Sequence, residues 1–137
     1  MKFQVKAQLG QNISLLGYDL TQSPLTGGAR FKLKLYWQAL SPIPQDYTVF
    51  TQVLGPDGTV VGQHDGFPAN GSLPTTTWRE GEIVPDRHLI DFPTPQVGQY
   101  RLIVGMYDAA AGQRLPITSA GGDFLELYTV DIKQPGR

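Results

Sequence analysis

A period of two governs this chain. In "ARFKLKLYWQA", residues 29–39, Phe31, Leu33, Leu35 and Trp37 fall on one side and Lys32, Lys34, Tyr36 and Gln38 on the other. An antiparallel strand with one face in a core and the other in water reads this way. "YRLIVGMY" repeats the pattern, with Tyr100, Leu102, Val104 and Met106 as its inner row. Further strands are expected at "FQVKAQL", "ISLLGYDL", "DYTVFTQVL", "TVVGQHD", "RHLIDF" and "FLELYTVDI". The 16 glycines and 11 prolines leave no room for a long helix, and "DAAAG", the one helix-friendly piece, is too short to stand alone.

Turn chemistry joins these runs into hairpins. "LGPDGTV" places Pro56-Asp57-Gly58 between two β-branched runs, and "YDAAAGQRLP" turns at Ala111-Gly112. The fold class expected is therefore all-β: a two-sheet antiparallel β-sandwich, immunoglobulin-like with Greek-key connections, of about seven to nine strands. "VGQYRLIVG" sharpens this, because Tyr100 opens an apolar strand where a tyrosine corner would bond back to the preceding backbone. An ordinary core tyrosine is the other reading. Trp37 is the expected core anchor, with apolar neighbours in place of an inter-sheet disulfide. One domain, 1–132, is expected, with a frayed tail at 133–137.

Composition removes whole classes of chemistry. The 137 residues contain no cysteine, so disulfides, thiolate nucleophiles and thiolate metal sites are excluded. Eleven basic and twelve acidic residues give a net charge of -1 with no basic run, which argues against nucleic acid as a partner. No stretch approaches the roughly 20 apolar residues of a membrane span. "MKFQVKAQLGQ" alternates and is not a signal peptide, and Met1 is compatible with the start of an excised fragment.

The irregular stretch "GQHDGFPANGSLPTTTWREGE", 62–82, gathers the residues that invite a chemical reading. His64 and Asp65 are neighbours on a strand, so they point to opposite faces and cannot form a bonded dyad while the strand is regular. Ser72 and Thr75 to Thr77 lack any nucleophile-elbow setting. An Asp65–Asp86 acid–base pair is conceivable only if folding brings them together. The structural reading has Asp65 bonding loop amides beyond Gly66 and His64 bridging its strand to the crossing loop. His64 and His88 have no zinc spacing, and Asp57, Asp65, Asp86, Asp108 and Asp123 sit near turns without a calcium-loop pattern. No metal and no cofactor is therefore assigned. The Asn12 and Asn70 glycosylation patterns read as accidental.

A sugar face needs an apolar platform with polar groups around it. Trp78, Phe67, Tyr36, Tyr47 and Tyr107 form the pool, with Trp78 favoured as a plug closing one end of the sandwich. The ligand-binding residues expected are His64, Asp65, Trp78, Asp86, Tyr36 and Tyr107.

The phrases "LLGYDL", "LKLYWQAL", "DYTVFTQVLGPDGTVVGQHDG", "PTTTWREGEIVPDRHLI" and "GQYRLIVGMYDAAAGQRLP" together resemble a β-sandwich module of Chloroflexi-type bacterial proteins. That module lies C-terminal to a membrane glycosyltransferase-like region of the dolichyl-phosphate-mannose type. The resemblance runs over about residues 13 to 132. It implies an extracytoplasmic location beside glycan machinery, with a glycan or the attached membrane-enzyme domain as partner. The transferase activity belongs to the membrane region and is not carried over. Three functions follow in order: a non-catalytic accessory module, a purely structural spacer, and a small hydrolase using His64 and an aspartate.

Overall fold

The computed structural model describes residues 1–136. Nine strands follow in chain order: β1 (Phe3–Leu9), β2 (Ile13–Leu25), β3 (Gly28–Ala39), β4 (Thr48–Leu54), β5 (Val60–Gly66), β6 (Ile83–Pro93), β7 (Gly98–Asp108), β8 (Gln113–Arg114) and β9 (Leu125–Ile132). They form two antiparallel sheets. One runs β1-β2-β3-β6, and the other runs β5-β4-β7, with β7 pairing β9 and then β8 along its far edge.

Alternation on β3 builds the core as expected. Phe31, Leu33, Leu35 and Trp37 are buried, and their register partners on β6 are Ile90, His88, Asp86 and Val84. Lys32, Lys34 and Tyr36 look outward opposite Leu89, Arg87 and Pro85. Proline can be accommodated in β6 because that strand is the edge of its sheet. The chain passes between the sheets three times, from β3 to β4, from β5 to β6 and from β6 to β7. These crossings are the Greek-key element of the sandwich.

Tyr100 forms the corner. Its hydroxyl donates to the Gln96 carbonyl at 2.8 Å and accepts the Gln96 amide at 3.2 Å, while the ring is buried against Phe92. Both expected hairpins form. Gly58, at φ 85°, closes one by donating to the Gly55 carbonyl, and Gly112, at φ 68°, closes the other by donating to Asp108.

Three expectations need revision. The strand begun by "ISLLGYDL" continues to Leu25, paired with β3 along its whole second half. The outer face of β7 is covered as well: Phe50 lies over Gly105, and the Arg114 guanidinium stacks 4.2 Å from the Phe50 ring centre. The tail is tied down at Gly136, whose amide donates to the Thr94 carbonyl at 2.6 Å; Arg137 lies outside the described residues.

Replacing Tyr100 by Phe removes both corner hydrogen bonds and leaves the Gln96 groups to find water. A loss of about 1–2 kcal/mol is expected in urea unfolding, with the slope of the transition unchanged.

Candidate functional site

Two features of β5 set up the site. Gly62 and His64 share the strand face that looks toward the other sheet, opposite Val53 and Thr51 of β4. At Gly62 a side chain is impossible: a Cβ there would lie 2.7 Å from the Asp91 carbonyl oxygen and 2.9 Å from Phe92 Cβ. The bare backbone lets β5 lean against β6. Two residues further on, the same face delivers His64 to His88, with the Nδ1 atoms 2.8 Å apart.

From His88 the chain of bonds runs inward. His88 Nε2 meets Asp86 Oδ2 at 2.7 Å, and the same oxygen accepts Trp37 Nε1–H at 3.1 Å. The other carboxylate oxygen accepts the Ala69 amide at 2.9 Å. Asp86 is 1% exposed and His88 4%. Both point inward because they stand two apart on β6, in the alternating row Val84, Asp86, His88, Ile90 and Phe92.

Proton positions follow from the groups that have no choice. Trp37 and Ala69 can only donate, so Asp86 accepts, and His88 donates to it from Nε2. In the neutral pair, His88 Nδ1 is then an acceptor and His64 Nδ1–H donates to it. His64 Nε2 is left with a lone pair and no protein partner among the described residues. Burial and the neighbouring His88 lower the pKa of His64, which keeps this arrangement in place near neutrality.

The crossing between β5 and β6 is organised by the same carboxylate. Ala69, Asn70 and Gly71 have φ of 57°, 57° and 84°, three left-handed residues in a row. An alanine in that region carries about 1–2 kcal/mol of strain. Its amide is the one held by Asp86, so the buried carboxylate secures the tightest point of the turn. Further along, Trp78 packs down, 4% exposed, with Nε1–H donating to the Leu73 carbonyl at 2.9 Å. It is a plug, and its burial rules out the ligand-platform role.

Of the six expected ligand-binding residues, His64, Asp65 and Asp86 line one small groove, and Trp78, Tyr36 and Tyr107 do not. His64 and Asp86 join the buried chain. Asp65 and Tyr107 meet on the outer face of the second sheet, where the Tyr107 hydroxyl donates to Asp65 at 3.1 Å. Burial and the Asp65 charge raise the pKa of Tyr107. Tyr36 lies on the outer face of the first sheet and donates to Asp19 at 2.6 Å. Asp65 was expected to hold the loop amides; Asp86 does so instead, because alternation turns Asp65 outward. His64 was expected to bridge to the crossing loop and bridges to β6.

The remaining acids serve turns and ion pairs. Asp57 accepts from Thr59, Asp108 from Ala110 and Gln45, and Asp123 from Arg114. Among the described residues no three His, Asp or Glu gather closely enough to hold a metal ion.

Outside the buried chain a groove of about 530 Å³ crosses the outer face of β2, β3 and β6. Its floor is two register rungs, Asp19–Lys34–Arg87 and Thr21–Lys32–Leu89, and it ends at His64 and Asn70. A smaller groove of about 300 Å³, between the end of β5, the loop and β6, shares His64, Asn70, Arg87 and His88 with it. His64 and His88 are where the interior chain reaches both grooves. Lys32, Lys34 and Arg87 were not among the residues singled out for ligand binding; the strand alternation that faced the lysines outward was the signal for them.

No family model matches the chain, and no curated protein does. Among solved structures, it is similar to a chain described as a beta-glucuronidase from glycoside hydrolase family 2, with a TM-score of 0.51 at 14% identity. The match covers 83% of this chain and 10% of that one, so this chain spans about a tenth of the glucuronidase's length. The likeness is one of fold.

Asp86→Ala strands the Trp37 and His88 donors in the core and releases the Ala69 amide of the loop. A loss of about 3–5 kcal/mol is expected in chemical denaturation, far beyond that of a surface Asp91→Ala control.

The lowered His64 pKa has a definite sign. The unfolded chain binds that proton more readily, so the stabilisation is complete above about pH 6.5 and is lost as pH falls through the lowered folded value. Thermal midpoints measured between about pH 7 and 5 should fall on acidification, and His64→Gln should flatten that part of the profile.

Proposed function

We propose that this chain is a non-catalytic accessory module that contacts a glycan, or the enzyme domain attached to it, on the extracytoplasmic side of a membrane. The observation that carries the reading is the division of roles along β6. Asp86 and His88 face inward, with their polar atoms engaged in holding the fold, while Arg87 and Leu89 face outward into an open groove.

The hydroxyls of the crossing give no support to a serine or threonine nucleophile activated by His64. Ser72 donates to the Ala69 carbonyl, Thr75 to Gln45, Thr76 to Asp46 and Thr77 to Pro74, and none of these hydroxyls bonds to His64. A nucleophile needs its base within hydrogen-bond reach. Asp65 and Asp86 line the smaller groove together, but both Asp86 oxygens are already engaged, by Trp37 and His88 on one side and the Ala69 amide on the other.

The location rests on the resemblance of "LKLYWQAL" and its companion phrases to the membrane-associated module. Among the described residues no helix is long and apolar enough to cross a membrane, so attachment would come from a neighbouring segment. The similarity of fold to part of a glycoside hydrolase chain agrees with a role as one domain within glycan-handling proteins.

The test is native affinity electrophoresis through gels containing neutral or acidic polysaccharides, run beside hydrolysis assays on chromogenic esters and glycosides. Retardation without turnover is the expected result. Turnover that disappears in His64→Gln would overturn the reading in favour of an enzyme, and no retardation by any polymer would leave the spacer.

A further inference from the structure

We infer that the groove on the outer face of β2, β3 and β6 binds a carboxylated saccharide, a chain or end carrying uronic-acid rings; this rests on the glycan-contacting reading above. Charge is the first argument. Lys32, Lys34 and Arg87 line the groove, and none is ion-paired with a carboxylate among the described residues. The protein as a whole is at -1, so these cations are a local concentration and not part of a general basic character. Register places Lys34 directly opposite Arg87, and Lys32 one same-face step further along β3, about 7 Å away. Arginine's planar fork suits a carboxylate bidentately, and lysine adds a point charge beside it.

Asp19 sets the charge density that fits. It stands on the same rung as Lys34 and Arg87 and stays ionised, because the Tyr36 hydroxyl, the Lys2 amide, the N-terminus and Lys34 all lower its pKa. Lys32, Lys34 and Arg87, set against an Asp19 whose charge the N-terminal ammonium partly offsets at 3.7 Å, suit a ligand with one negative charge per ring. A densely sulfated polymer would meet Asp19 at every register.

The rest of the groove matches a hydroxylated ring. Thr21 and Asn70 offer both donors and acceptors, and the Leu89 side chain and lysine stems give an apolar surface for C–H faces. At the end of the groove His64 has a defined polarity. The bonds from Trp37 through Asp86 and His88 leave its Nε2 as an acceptor, so the ligand group that meets it is a donor, such as a sugar hydroxyl. The carboxylate belongs at Arg87 and Lys34, and hydroxyls at His64 and Asn70.

The experiment uses affinity gels of polygalacturonate, dextran sulfate and plain dextran with the intact chain. Polygalacturonate should retard it, dextran should not, and dextran sulfate should do so more weakly. Arg87→Gln and Lys34→Gln should each weaken the interaction about tenfold or more, with unfolding midpoints unchanged because both side chains are outside the core. His64→Ala should weaken it while leaving its salt dependence intact, since it removes an acceptor and no cation. Three results would sink the proposal: equal retardation of wild type and the Arg87→Gln/Lys34→Gln double variant, stronger binding to dextran sulfate, or binding to plain dextran alone. The last would spare the broader glycan-contacting function, whereas no binding to any polymer would remove both.

Discussion

A carboxylate taken out of water must be answered by donors, and Asp86 is answered from three directions. Trp37 reaches it from β3, His88 from its own strand, and the Ala69 amide from the crossing loop. Each partner belongs to a different part of the architecture. The central core tryptophan, the edge strand and the left-handed turn are thereby fixed relative to one another at a single point. In many immunoglobulin-like domains an inter-sheet disulfide lies against the core tryptophan; in this cysteine-free chain a polar contact meets the tryptophan instead.

The approach of β5 to β6 extends that point to the surface. Gly62 gives the backbone room, and His64 then closes onto His88. The interior network thus ends in a ring at the mouth of two grooves. Its hydrogen-bonding polarity there is decided by groups further in. A ligand at His64 would meet an acceptor because a buried indole and a part-buried loop amide have only protons to offer.

Much of this was legible in local pattern. Alternation on β3 separated core from surface correctly, and the tyrosine corner was written in "VGQYRLIVG". The plug role of Trp78 followed from its place in a long crossing. What local pattern concealed was the start of β6. With that strand expected to begin at Arg87, Asp86 stood as a loop aspartate. Carrying the period of two back across Pro85 puts Asp86 and His88 on one inner row with Ile90 and Phe92. The meeting of His64 with His88 had no comparable signal. It depends on a missing side chain at Gly62 and on a 16-residue excursion between two sheets, 67–82, and neither leaves a periodic trace.

The alternation along β6 has a consequence for how such a module can change. Residues 84, 86, 88, 90 and 92 answer to the core, and 85, 87, 89 and 91 answer to whatever lies outside. A substitution at 87 or 89 alters the chemistry of the outer face without disturbing the carboxylate at 86 on the inner row. The strand therefore splits the search through sequence into two nearly independent problems. New recognition can be tried on one set of positions while the other keeps the domain folded.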